Sequence, residues 1–235
     1  MKIDKNDVRL KEPLSINLGR LIVIDERDSM YKMSSLLPKK MPGNTYKYWW
    51  TAGWWGDQGH TPHCVAYSWS HWLAAGPITQ KASRTGGKSP IDTISLYNEA
   101  QKIDRWPGEN YDGTSVRAGA GILKQKGFIS SYNWAWDVNT IVDSLLALGP
   151  LVVGTWWTYD MFFPNERGII SASGNRIGGH AYLLDGVSVK KKMIRIKNSW
   201  GREWGKNGFA YISFDDMDNL IKAQGEACLA VELEK

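Results

Sequence analysis

Three short strings carry groups suited to acyl transfer. They are Gln58-Gly59-His60-Thr61-Pro62-His63-Cys64-Val65-Ala66-Tyr67-Ser68, Gly178-Gly179-His180-Ala181-Tyr182 and Lys197-Asn198-Ser199-Trp200-Gly201. A thiol is a useful nucleophile only as thiolate, and its pKa falls at a helix N-terminus or beside an imidazolium. Thr61 as N-cap and Pro62 in the first turn predict a helix opening at Cys64. His180 brings an imidazole that can take the thiol proton and later hand it to a leaving amine. Taken alone, Cys64 reads as a buried cysteine at a helix start and His180 as a structural histidine in a strand. Asn198 shifts that balance. It follows His180 across one hairpin, where its amide is expected to accept the imidazole Nδ1–H and leave Nε2 facing sulfur. Trp200 is expected to shield that hydrogen bond from water.

A metal site is the competing chemistry. His60, His63, Cys64 and His71 are close in sequence, but catalytic zinc needs three ligands meeting at one point. His71 falls two helical turns beyond Cys64, and zinc would leave Gln58, His180 and Asn198 unexplained. No metal and no other cofactor is expected.

The same strings resemble the papain-like cysteine peptidases, in particular disulfide-free members of bacterial and phage type. In that family a Gln six residues before the nucleophile donates its amide to the oxyanion, and Gln58, followed by Gly59, stands at that offset. Ala66-Tyr67-Ser68 matches the run after the cysteine. The asparagine motif continues through Trp204-Gly205-Lys206-Asn207-Gly208-Phe209. Leu96-Tyr97-Asn98-Glu99-Ala100 and Tyr111-Asp112-Gly113-Thr114-Ser115-Val116-Arg117 resemble the segment that runs beside the substrate backbone, and Gly113 is expected to keep its backbone free for an extended peptide. Gly149-Pro150-Leu151-Val152-Val153-Gly154 resembles the strand bordering the S2 pocket, with Gly154 and Gly179 as walls of a roomy pocket. The resemblance therefore implies catalytic Cys64, His180 and Asn198, Gln58 in the oxyanion hole, and substrate contacts at Gly113, Gly154, Gly179 and Trp200. It covers roughly residues 48–233.

The chain also departs from that pattern. Thr61-Pro62-His63 replaces the usual Cys-Gly-Ser. His63 is expected to point to solvent, and Val65 replaces an aromatic, so the resemblance does not fix the shape of the S1′ side. The implied activity is endopeptidase action on a polypeptide through a thioester acyl-enzyme. A transpeptidase or ligase using the same intermediate, and a non-catalytic peptide-binding module, are the alternatives.

At 235 residues the chain can bury a substantial core, and its net charge of +5 is spread along its length. Lys190-Lys191-Lys192, the one dense basic run, reads as a solvated turn, so no nucleic-acid partner is expected. No apolar run approaches a membrane span and no signal-type stretch follows the charged start, so no membrane association is expected. The two cysteines, Cys64 and Cys228, argue for a reducing compartment, cytoplasmic or virus- and phage-associated. Cys228 reads as a small buried hydrophobe, and Trp49, Trp50, Trp54 and Trp55 as core or cleft-wall residues. A monomer is expected.

The elements follow from periodicity and punctuation. Residues 1–45 read as an N-terminal arm or short leader with one strand-like run, Leu21-Ile22-Val23-Ile24; a wrapping arm, an inhibitor remnant and a docking tail are all compatible with it. Residues 46–135 read as a mainly helical lobe, with helices predicted at 64–75 (stopped by Gly76-Pro77), at 90–103 and from Gly113-Thr114-Ser115 to a C-cap at Gly127. Residues 136–235 read as a mainly β lobe: a helix at 137–148 closed by Gly149-Pro150, then strands at 151–157, 180–187, 193–197, 208–213 and 227–233. Helices first and antiparallel strands second give an α+β, two-lobed, papain-like architecture with a β-barrel-like right lobe and a cleft between the lobes.

Overall fold

The computed structural model describes residues 18–23, 25–49, 53–75, 88–106 and 110–233. The expected stop at Gly76-Pro77, Ile24, Trp50 and residues 1–17 of the arm lie outside them. Helix α1 (Cys64–Ala75) is buried on nearly every side, with only Tyr67 partly exposed. Such a helix needs its polar groups satisfied internally. Ser68 and Ser70 return their hydroxyls to the carbonyls of Cys64 and Ala66, while the indole N–H groups of Trp69 and Trp72 reach the carbonyls of Val116 and Pro150. Helix α2 (Thr93–Ile103) starts at Asp92, whose carboxylate accepts the N–H groups of Ile94 and Ser95. Helix α3 (Val116–Gln125) starts at Ser115, which accepts the N–H of Ala118. Gly127, at φ +71°, ends α3 as expected. Gly119 lets α3 approach α1 closely, since a Cβ there would lie 2.4 Å from the Trp69 ring.

Among the described residues seven strands form one antiparallel sheet: β1 (Tyr46–Tyr48), β2 (Ile129–Ala135), β3 (Leu151–Thr158), β4 (Arg176–Ser188), β5 (Met193–Lys197), β6 (Phe209–Ser213) and β7 (Glu226–Glu232). The order is β2-β7-β3-β4-β5-β6, with β1 on β4. The sheet is therefore an open path and not the barrel-like closure expected, because β2 and β6 end it without pairing with each other. The long central strand β4 divides two cores. Its Ala181 and Leu183 face the helical cluster with α1, while Tyr182 and Leu184 face a second cluster with α4 (Val138–Ala147) and α5 (Phe214–Lys222). A period of two on one strand thus sets the nucleophile helix directly against the histidine strand. Lys190, Lys191 and Lys192 form the exposed turn between β4 and β5. Among the described residues no helix is long and apolar enough to cross a membrane.

Residues 25–33 are tied down by ion pairs and burial. Asp25 and Asp28, both buried, meet Arg27, Arg105 and Arg117. Arg27 holds the Asp25 carboxyl well below the usual carboxylate range. Met33 is fully buried in the second core.

Away from the cleft, the Asp137 carboxylate accepts the Thr140 N–H at 2.8 Å and caps α4. Asp137→Ala is expected to lower unfolding stability by about 1 kcal/mol in urea titration without altering thiol chemistry at Cys64; an unchanged midpoint would show that the cap contributes nothing.

Candidate active site

Asn198 determines how the imidazole is used. Its Oδ1 accepts the backbone N–H of Ser199 at 2.8 Å and faces His180 Nε2 at 2.8 Å. A backbone donor at that oxygen excludes the flipped amide, so the nitrogen opposite must itself carry a proton. His180 is therefore the Nε2–H tautomer, and its Nδ1 keeps a lone pair. This reverses the expected assignment of the two nitrogens: the distal nitrogen of the ring spans from β4 to the start of the β5–β6 connection. Nδ1 is buried and makes no hydrogen bond among the described residues. The ring lies in an aromatic box. Trp200 stacks on it at 4.9 Å between centroids and 26°, and Trp157 meets it edge-on at 4.9 Å. Phe162 in turn stacks on Trp200 at 5.3 Å. Trp200 stacks on the ring that makes the His–Asn bond; Trp157, half of the box, was not singled out from sequence.

Cys64 is the first residue of α1, and the His63 carbonyl accepts the helical N–H of Tyr67 at 3.0 Å. Thr61 is not the cap expected. Its hydroxyl closes a local turn onto the Gln58 carbonyl at 2.6 Å, which removes it from the helix end. The backbone N–H groups of Ala181, Gly19 and Val65 act on the thiol, which places sulfur against the residue that follows His180. Gln58 is buried and held at both ends: Nε2 donates to the Thr61 carbonyl at 2.7 Å, and Oε1 accepts from the Ser199 hydroxyl at 2.6 Å. Ser199 thus orients Gln58 through its hydroxyl and Asn198 through its N–H. The turn before Gln58 is fixed by Lys197 Nζ on the Trp54 carbonyl and by His71 Nε2, which accepts the Gly56 N–H.

Two flanking residues differ from expectation. His63 does not point to solvent; it packs on the Tyr97 ring at 4.2 Å because α2 lies over the start of α1. Burial lowers its pKa, so it brings no imidazolium to the thiol at neutral pH. Val65 is fully buried and faces α3, where a Cβ on Gly119 would meet it at 3.1 Å, so it fills the helical core. His71 is spent on the Gly56 turn, and among the described residues no three His, Cys, Asp or Glu side chains converge as a metal site. Both cysteines are buried free thiols.

Residues 18–21 occupy the cleft. Arg20 N–H donates to the Gly179 carbonyl, Leu21 N–H to the Thr114 carbonyl and Thr114 N–H to the Gly19 carbonyl, each at 2.9 Å. The pairing with Thr114 is parallel. The expected substrate glycines take part differently. The backbone of Gly113 is not free: its N–H goes to the Tyr97 hydroxyl at 2.8 Å and its carbonyl accepts from Gln101. Thr114 does the pairing, and Gly113 at φ +103° serves by lacking a side chain, since a Cβ would lie 2.6 Å from the Gly19 carbonyl. Gly154 leaves room for the Arg20 side chain and Gly179 for the Arg20 carbonyl. Glu226, the first residue of β7, pairs with Arg20 at 2.9 Å. Nothing local in the sequence marks Arg20. Glu226 carries a weak signal as the one acid opening an otherwise apolar run.

This occupancy sets the electrostatics. Cys64 and His180 are fully buried. Burial pushes the Cys64 thiol up to about 11, against the smaller opposing pull of the surrounding N–H groups. Burial likewise pushes His180 down to about 4, against the Asn198 hydrogen bond. With the cleft filled, the stable pair is neutral thiol and neutral imidazole.

The profile described as papain family cysteine protease matches residues 87–229, more than half the chain. That stretch includes His180 and Asn198 but begins after Cys64. An uncharacterized peptidase C1-like protein of Acanthamoeba polyphaga mimivirus is 23% identical over 197 residues, covering 65% of this chain and 62% of that protein. Cathepsin B-like cysteine proteinase 6 of Caenorhabditis elegans is 25% identical over 156 residues, covering 60% of this chain and 41% of that protein. The chain thus spans less than two thirds of the length of these relatives. Among solved structures, xylellain, a cysteine protease from Xylella fastidiosa, superposes with a TM-score of 0.71 at 16% identity, covering 94% of this chain and 97% of that one. Digestive procathepsin L2 proteinase from Tenebrio molitor larval midgut superposes with a TM-score of 0.65 at 17% identity, covering 96% and 82%. At these identities the structures speak for the fold.

With its pKa near 11, Cys64 in the whole chain is expected to react with iodoacetamide at pH 7.5 on the order of a hundredfold more slowly than an exposed cysteine. The rate should climb with pH up to about 10, since thiolate gains tenfold per unit below the pKa. Peptide mapping by mass spectrometry reads this directly, and fast labelling at neutral pH would contradict the closed, neutral pair.

Proposed function

The chain belongs to the papain family of cysteine proteases, and on that footing we propose that it is an endopeptidase cleaving extended polypeptides through a thioester on Cys64. The observation that carries the proposal is the His180–Asn198 pair. One imidazole nitrogen is committed to the amide, and the other is unspent beside the strand residue that touches the thiol.

In this mechanism His180 Nδ1 takes the proton from Sγ as sulfur attacks the scissile carbonyl carbon. The carbonyl oxygen becomes the oxyanion, and the Cys64 backbone N–H and Gln58 amide donate to it. The tetrahedral adduct collapses as Nδ1–H protonates the departing amine, which leaves the acyl group on sulfur as a thioester. Water then attacks that carbonyl, giving a proton to Nδ1; the carboxylic acid departs and the thiol is restored. Asn198 takes no proton at any step. It holds the ring so that the same nitrogen meets sulfur, amine and water in turn. The aromatic box keeps water from competing for the Nε2–H bond, and Thr114 offers backbone N–H and C=O to an extended substrate.

The reading predicts a graded series. In peptide-library digestion, Cys64→Ala is expected to remove cleavage entirely. His180→Ala is expected to lower kcat/KM by at least a thousandfold. Gln58→Ala should lose on the order of 10²–10³ in rate, as loss of one oxyanion donor does elsewhere. Asn198→Ala should cost less than His180→Ala, because it orients without exchanging protons. Undiminished cleavage by Cys64→Ala would end the proposal, and product masses with an added amine separate hydrolysis from acyl transfer.

A further inference from the structure

We propose that His71 is a positioning residue for the oxyanion donor, tying the loop that presents Gln58 to the helix that carries Cys64. Its role in catalysis rests on the peptidase reading, but the tie itself stands on geometry. His71 Nε2 accepts the Gly56 N–H at 3.2 Å, and the imidazole is fully buried. His71 follows Cys64 by two turns of α1, so both side chains leave the same face of one rigid helix. Gly56 reaches that face because it has no side chain. A Cβ there would lie 2.4 Å from the Tyr67 ring and 2.8 Å from the Trp54 ring. The Trp54 ring in turn packs on the imidazole at 4.7 Å between centroids.

The tie supplies something the other loop contacts do not. The Gln58 N–H donates to the Ser199 carbonyl at 2.8 Å, and the Gly201 N–H donates to the Gly56 carbonyl at 3.2 Å. These bonds join residues 56–58 to the segment after Asn198 as an antiparallel bridge centred on Asp57 and Trp200. Two bonds along one bridge leave rotation about their own line. His71 holds the loop from a different element, α1, and removes that rotation. In the proposed mechanism the Cys64 N–H and the Gln58 amide converge on one oxygen, so the spacing of helix and loop decides whether both reach it. A misplacement of about 1 Å costs on the order of a hundredfold in rate.

Stability alone does not explain a histidine here. Nε2 accepts a hydrogen bond, so the neutral ring carries its proton on Nδ1. Nδ1 is buried and finds no partner among the described residues. Burial, aided by the Lys197 ammonium of β5, holds the His71 pKa well below the usual histidine value, which keeps Nε2 an acceptor. Asp185 of β4 and Arg195 of β5, the charged groups that act on Lys197, pair with each other. A leucine at position 71 would leave the Gly56 N–H without its acceptor, whereas the histidine leaves its own Nδ1–H without one. One orphaned donor is exchanged for another, so the net gain in stability is small. What the imidazole adds is a fixed place for the Gly56 amide.

The test is a double-mutant cycle in the full chain, with kcat and KM measured on the fastest-cut peptide of the library digestion. His71→Leu is expected to lower kcat at least tenfold and to leave KM within about threefold, because an oxyanion donor acts in the transition state. In a Gln58→Ala background the same substitution should cost less than about threefold, since the donor it positions is already gone. His71→Gln, whose Oε1 reaches where Nε2 stands, should recover most of the loss, and the shorter His71→Asn should not. Should His71→Leu not fold by circular dichroism, the Gln and Asn variants carry the same comparison. An equal loss in both backgrounds, or a loss confined to KM, overturns the proposal.

An acetylated alanine tripeptide aldehyde separates this role from the peptidase reading. Sulfur adds to the aldehyde carbon as the C=O double bond opens, and the thiol proton passes to the oxygen, giving a hemithioacetal without turnover. Its oxygen takes the oxyanion position, so His71→Leu should weaken binding at least tenfold with Gln58 present and by less than about threefold in Gln58→Ala. That result without peptide cleavage keeps the positioning role and removes the peptidase reading. Peptide cleavage that is indifferent to His71 does the reverse. A chain that neither cleaves peptides nor binds the aldehyde ends both.

Discussion

One amide oxygen constrains the whole site. Asn198 Oδ1 already accepts a backbone N–H from its own neighbour, Ser199, so the imidazole reaching it has to arrive as a donor. That single condition selects the tautomer and leaves Nδ1 with a lone pair. Much of the surrounding structure maintains it. Trp157 and Trp200 exclude water from the bond, Phe162 backs Trp200, and Ser199 carries the same constraint across to Gln58. Two donors of one serine thus couple the proposed base and the proposed oxyanion amide, although they lie far apart in the chain.

The cleft as it stands is a closed state, and its chemistry differs from that of an open one. Covering the thiol and the imidazole raises one pKa and lowers the other, so burial disfavours the charge-separated pair that the proposed mechanism requires. The segment is held by two kinds of contact. Backbone bonds to Thr114 and Gly179 are available to any extended peptide, while the Arg20–Glu226 pair depends on side-chain chemistry. Ion pairs just downstream of the segment, Asp25 and Asp28 with Arg117, anchor it further.

How much of this was readable from the residues follows from whether the determinant is local. Ser115 and Asp137 are helix caps visible three residues ahead of the N–H groups they accept, and β3 to β7 are runs of β-formers between turn residues. Cys64, His180 and Asn198 could be singled out because each sits in a distinctive neighbourhood. Strand β2 was not, since a register shift between Ile129 and Ser131 spoils its alternation. Helix α5 carries Phe214, Met217, Leu220 and Ile221 at helical spacing; that signal was present but unread. The orientation of His63, the choice between Nδ1 and Nε2, and the place of Arg20 depend on groups remote in sequence. No window of the chain around them contains Tyr97, Ser199 or Glu226.

The central claim concerns a proton position, and it is measured most directly by long-range 1H–15N NMR of the histidine rings in the intact chain at neutral pH. Assignment by His180→Gln should identify one ring with a protonated Nε2 and a Nδ1 at the shift of an unprotonated, pyridine-like nitrogen. A ring protonated at Nδ1 alone would contradict the account, because Asn198 would then meet a lone pair and the nitrogen proposed to take the thiol proton would already be spent.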